Sequence, residues 1–102
     1  MDEKYEGWQN RETWAANLWM ENNSKVYNYV FEKVKQVIAV SKGSEQLRVE
    51  DFIKQFLEEA QEKVENREAQ PDTVAAIVNI GSFWRINYPE LAGHWIAKAR
   101  SI

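Results

Sequence analysis

The run VEDFIKQFLEEAQEKV, residues 49–64, decides the fold class. Val49, Phe52, Ile53, Phe56, Leu57, Ala60 and Val64 recur at intervals of three and four, which places them on one face of a helix with about 3.6 residues per turn. Glu58, Glu59, Glu62 and Lys63 occupy the remaining sides. The same period extends toward the N-terminus. Tyr27, Val30, Phe31, Val34, Val37 and Ile38 form one face of a second helix, which Ser24 can cap and Ser41-Lys42-Gly43-Ser44 ends. Residues 37–40 are rich in β-branched side chains, but three turns of helical spacing precede them, so they continue the helix. Further upstream Asn10 caps a first helix over residues 11–21, with Trp14, Leu18 and Glu21 in one row and Ala15, Trp19 and Asn22 in the next.

Toward the C-terminus, Gln70-Pro71-Asp72 opens a fourth, strongly apolar helix that carries Val74, Ile77, Val78 and Ile80 and reaches Trp84, with Gly81 as a point of close approach. Asn87-Tyr88-Pro89-Glu90 has the capping-box arrangement ahead of Leu91, Ala92, Trp95, Ile96 and Ala99. Pro89 falls in the first turn, where its missing N–H is harmless. No stretch alternates with period two, and neither Asn-Gly nor Asp-Gly occurs to turn a hairpin. The expectation is an all-α, compact bundle of five short helices: one domain over residues 1–102, with 1–7 as a flexible N-terminal tail.

The composition agrees with one soluble domain: 102 residues, 44% hydrophobic and 28% charged. At this length folding removes only about 60–70% of the unfolded chain's surface from water, so a few large side chains must supply the core. The five Trp, four Tyr and four Phe are suited to that. Without cysteine there is no disulfide, thiolate metal site or cysteine nucleophile. The longest apolar runs are far shorter than the ~20 residues that span a bilayer, and Met1-Asp2-Glu3-Lys4 has no secretory character, so a cytoplasmic location with no membrane partner is expected.

Candidate chemistry is sparse. His94 is the only histidine and has no second ligand or partner at a metal-binding spacing. The glycines at 7, 43, 81 and 93 make no phosphate-cradling or nucleophile-elbow motif. Glu58, Glu59, Glu62 and Glu65 crowd neighbouring turns, but Lys54 to Glu58 and Glu59 to Lys63 are i, i+4 pairs that make an ordinary solvated face. Between Glu45 and Glu68 eight acids meet four bases, a strip able to face a basic partner. The net charge of −3 disfavours generic phosphate binding, so nucleic acid is not the expected partner. The indoles of Trp8, Trp14, Trp19, Trp84 and Trp95 are read mainly as core anchors joining the first and last helices, with Asn10, Glu12, Asn17 and Asn22 available to accept their N–H groups.

Gly7-Trp8-Gln9-Asn10-Arg11-Glu12-Thr13-Trp14, followed by Asn17-Leu18-Trp19, Asn22-Asn23 and Tyr27, resembles a family of small uncharacterised proteins encoded by phages, plasmids and some bacteria. The tail from Ile86 to Ile96 is similar to that family's closing helix, whereas residues 34–69 carry no recognised part of the pattern. The resemblance implies provenance, and supplies no catalytic residue.

These features predict a non-enzymatic protein-interaction module with no catalytic residue, cofactor or metal, acting as a phage or mobile-element accessory factor on a host defence or regulatory protein. Its candidate surface comprises Trp8, Arg11, Glu12, Trp19, Glu58, Glu59, Glu62 and Trp95, with an exposed apolar patch or a homodimer face near Trp8, Trp19 or Trp95. Two other functions make distinct demands. A nucleic-acid-binding regulator needs Arg11, Lys25, Lys33, Lys35, Lys42, Lys98 and Arg100 to converge, and a small enzyme needs Arg11, Glu12 and His94 in one cleft.

Overall fold

In the computed structural model, residues 5–101 are described, and they form five α-helices and one turn of 3-10 helix. α1 spans Arg11–Asn22, α2 Ser24–Val40, α3 Glu45–Glu65, α4 Pro71–Ile80 and α5 Tyr88–Arg100; the 3-10 turn is Phe83–Arg85. The all-α bundle expected from periodicity is observed. α3, with 21 residues, is the longest element and packs most extensively on α5, while α1 lies against both α4 and α2. Met20 of α1, Val30 and Val34 of α2, Val49, Ile53 and Leu57 of α3, Ile80 of α4 and Leu91 and Trp95 of α5 are fully enclosed where these helices meet. Among the described residues no helix is long and apolar enough to cross a membrane.

The caps set where each helix starts. Asn10 Oδ1 accepts the Thr13 N–H at 2.9 Å, and Asn87 Oδ1 accepts that of Glu90 at 3.0 Å. Pro71 and Pro89 sit in first turns, where no helical donor is lost. Asn23, rather than Ser24, caps α2: its Oδ1 accepts from Lys25 and Val26 N–H, both at 3.1 Å. The amide oxygen reaches both orphan donors from there, so the break between α1 and α2 is a single residue. The expected capping box on α5 is only half closed, because the Glu90 carboxylate accepts the Gln9 N–H at 3.0 and 3.1 Å instead of turning back to Asn87.

α4 stops at Ile80 and does not reach Trp84. Gly81 follows with φ +83°, and a Cβ there would meet nothing within 4 Å, so it provides a left-handed turn and not the close approach expected. α3 ends in a Schellman motif, with Glu68 N–H bonded to Lys63 O at 2.8 Å and Arg67 N–H to Val64 O at 3.1 Å. Arg67, φ +62°, therefore occupies the left-handed position that glycine usually fills.

Of the expected N-terminal tail, residues 1–4 lie outside the described residues. Tyr5 to Trp8 form a tight turn, with Tyr5 N–H bonded to Trp8 O at 2.7 Å and Trp8 N–H to Tyr5 O at 2.8 Å. Its two central residues, Glu6 at φ +52° and Gly7 at φ +86°, are both left-handed, as a type I′ turn requires.

Candidate interaction groove

The polar residues interleaved with the N-terminal indoles tie that end of the chain to its C-terminal third. Asn10 Nδ2 donates to Arg85 O at 2.7 Å. The buried Thr13 hydroxyl donates to Asn10 Oδ1 and accepts the Asn87 N–H, each at 2.8 Å. Arg11 donates to Asn79 Oδ1 at 2.8 Å, and Glu12 accepts from Arg85 Nε at 3.2 Å. One helical turn further, Asn17 Oδ1 accepts the indole N–H of Trp95 at 2.9 Å. Glu21, in the last turn of α1, lies 2.6 Å from His94 Nε2 and 3.3 Å from Lys98 Nζ. An ionised carboxylate only accepts, so His94 carries its proton on Nε2 and donates. Burial pushes the Glu21 carboxyl up, but the His94 hydrogen bond and the charges of His94 and Lys98 outweigh it and hold the group below its ordinary value. Trp8 meets the His94 ring edge-on with centroids 5.0 Å apart, and Trp14 meets Tyr5 at 4.8 Å.

A second region has a different character. An open groove of about 560 Å³ lies between α2, α3 and the α3–α4 connection, with Trp19, Val26, Tyr29, Phe56 and Ala60 on its walls and Glu59, Lys63 and Glu68 at its rim. Trp19 stacks on Phe56 at 5.8 Å, and Tyr29 leans on Phe56 at 5.6 Å. The Trp19 N–H is occluded and has no acceptor among the described residues. The groove continues along α3 into a smaller hollow of about 180 Å³ at Phe52 and Gln55, then one of about 420 Å³ at Glu58, Glu62 and Glu65; Glu59 borders all three. The ion pairs expected from Lys54 to Glu58 and from Glu59 to Lys63 do not form. Among the described residues the salt bridges within 4.0 Å engage Glu12, Glu21, Glu32 and Glu45, and leave Glu58, Glu59, Glu62, Glu65 and Glu68 without a counter-ion. Ordering two exposed flexible side chains offsets the small Coulomb gain of such a pair.

Residues 1–87 match the model of a Family of unknown function (DUF7249). The chain belongs to this family. The DUF7249 match runs through residues 34–69, which carry no part of the motif resemblance, and it ends at residue 87, just before α5 begins. No curated protein and no solved structure matched the chain. The DUF7249 match covers the Gly7–Trp14 stretch, whose side chains here hold the N-terminal turn and α1 against the segment from Asn79 to His94.

The residues singled out from sequence thus separate. Trp95 is 0% exposed and belongs to the core, not a surface. Trp8, Arg11 and Glu12 are engaged with His94, Asn79 and Arg85. Trp19 and Glu59 line the groove, and Glu58 and Glu62 border its acidic extension. Arg11 and Glu12 open α1 whereas His94 meets its last turn, roughly 14 Å along the axis, so these three do not share a cleft. Lys35, Lys98 and Arg100 are paired with Glu32, Glu21 and Glu45 respectively.

Tyr29 was missed because it falls off the apolar stripe of α2, and an aromatic in that position was itself the available signal. Trp84, grouped with the core anchors on sequence, is instead 82% exposed: it sits on the 3-10 turn after α4 has ended at Ile80, with the Arg85 guanidinium 5.7 Å from its ring. The most exposed large apolar side chains are Trp84, Val40, Val78 and Leu47, and none of them lines the groove or its extension.

Proposed function

We propose that this protein is a non-enzymatic interaction module that seats part of a partner protein in the groove floored by Trp19, Tyr29 and Phe56. Its proposed setting is the cytoplasm, as an accessory factor of a phage or other mobile element that modulates a host defence or regulatory protein. The observation that carries the interaction role is an open aromatic groove in a chain this small, where rings are needed for the core. Buried aromatic anchors dominate the energetics of protein interfaces, and a concave site presenting several rings is suited to receive them. The mobile-element setting draws on the resemblance carried by Gly7 to Trp14.

The test is affinity capture from the native host with the wild-type chain and with Tyr29→Ala/Glu59→Arg, changes at two exposed residues that line the groove, whose folding is checked by circular dichroism. A host protein retained by the wild type and lost by the folded double variant is the expected result. If every captured protein is retained equally by both, the groove is not the working surface.

A further inference from the structure

We infer that the groove takes a basic amphipathic segment about three helical turns long, with apolar side chains against the aromatic rings and lysine or arginine along the outer edge of α3. This partner class presupposes that the groove is an interaction surface, as proposed above. Two features of the groove specify it. The first is shape. Phe52, Phe56, Glu59 and Lys63 follow one another along the groove, and the span from Phe52 to Lys63 is about 16 Å on a helix axis, three turns. A helix seated there would present anchors spaced three, four and seven residues apart.

The second feature is charge. Five carboxylates, Glu58, Glu59, Glu62, Glu65 and Glu68, border the groove and its extension against a single ammonium, Lys63. None of the five has an intramolecular counter-ion among the described residues. A partner carrying cations on one flank meets charges that are already available. A second copy of this chain docked through the same face would instead oppose carboxylate to carboxylate, and an anionic lipid surface or a nucleic acid backbone would be repelled. The apolar walls account for affinity and the carboxylates for the choice among partners.

The test titrates the ¹⁵N-labelled full chain with three synthetic 18-residue peptides: an amphipathic helix of leucine and lysine, its leucine and glutamate counterpart, and a serine and lysine peptide of equal charge. The leucine and lysine peptide is expected to shift amides of Val26 to Tyr29, Phe52 to Lys63 and Glu68 to Thr73. It should bind at least about tenfold more tightly than either control and weaken as salt is raised. Glu58→Lys/Glu62→Lys/Glu65→Lys changes exposed positions only and should lower that affinity by about tenfold or more with the helical content unchanged. Equal binding of the leucine and glutamate peptide in the same groove would overturn the cationic partner while leaving an interaction groove in place. Shifts on another face, or no binding of any peptide at about 100 µM, would overturn the partner class outright. Concentration-dependent dimerisation through these same amides would do so too, making a second copy the occupant.

Discussion

The seam between α1 and the C-terminal third and the groove beside α3 are both rich in aromatic side chains, yet they treat tryptophan oppositely. In the seam, Trp95 is enclosed and its N–H is matched to Asn17, while Thr13, Asn10, Glu12 and Glu21 each reach across to a partner far away in sequence. In the groove, Trp19 lies partly open on Phe56, and among the described residues its N–H has no acceptor and the carboxylates alongside form no salt bridge. A region whose polar groups are all mutually satisfied has little to offer a ligand, because any new contact must replace an existing one. Exposed carboxylates outside any salt bridge, beside a concave apolar surface, lack that obstacle. The density of aromatic residues does not separate the two regions; the completeness of their pairing does.

The contrast breaks first at its strongest point. Trp95→Ala should destabilise the protein by about 3–5 kcal/mol in urea unfolding, a large part of the roughly 5–15 kcal/mol available to a domain, since it empties a buried site and orphans Asn17. A loss comparable to that of an exposed substitution would mean the seam is not the anchor described here.

Two substitutions then compare indole N–H groups directly. Asn17→Ala leaves the Trp95 N–H buried and unpaired and should cost about 1–3 kcal/mol. Trp19→Phe keeps a ring on Phe56 and removes an N–H that bonds to nothing, so stability should move by no more than about 1 kcal/mol. The same urea midpoints report both, and equal losses would erase the distinction.

The seam also has a pH signature. Glu21 is held below its ordinary value of 4.5 in the folded chain, so its contribution is present above that value and is lost as the pH falls through the depressed one. Chemical denaturation of Glu21→Gln and wild type across this range should show a gap that is widest above 4.5 and narrows in acid. A gap independent of pH would remove the carboxylate from the account. The smallest effect concerns the connection bordering the groove: Arg67→Gly relieves a left-handed backbone at the end of α3 and should raise stability by about 0.5–1 kcal/mol in thermal melts.

Much of the fold was legible because helix formation is written in spacing and caps. The three-and-four pattern from Val49 to Val64, the cap at Asn10 and the prolines at 71 and 89 each act within a few residues of themselves. Misreadings fell where one local signal competed with another, as Asn23 did with Ser24 for the cap of α2, or where Gly81 ends a helix that apolar content alone would extend to Trp84. The site was far less legible. Trp19 and Glu59 were singled out, but with Trp95, which is enclosed, and without Tyr29, whose place on the groove depends on how α2 sits against α3.

Local periodicity and capping determined five helices and the faces they bury, because backbone hydrogen bonds and side-chain direction within a helix depend on neighbours no more than four residues away. Only the packing of those helices decided that Asn17 would meet Trp95, that Glu21 would meet His94, and that the Trp19 N–H and the carboxylates of Glu58, Glu59, Glu62 and Glu65 would be left without partners among the described residues. Such pairings join residues more than seventy positions apart, and their geometry exists only once the core has set the distances between helices.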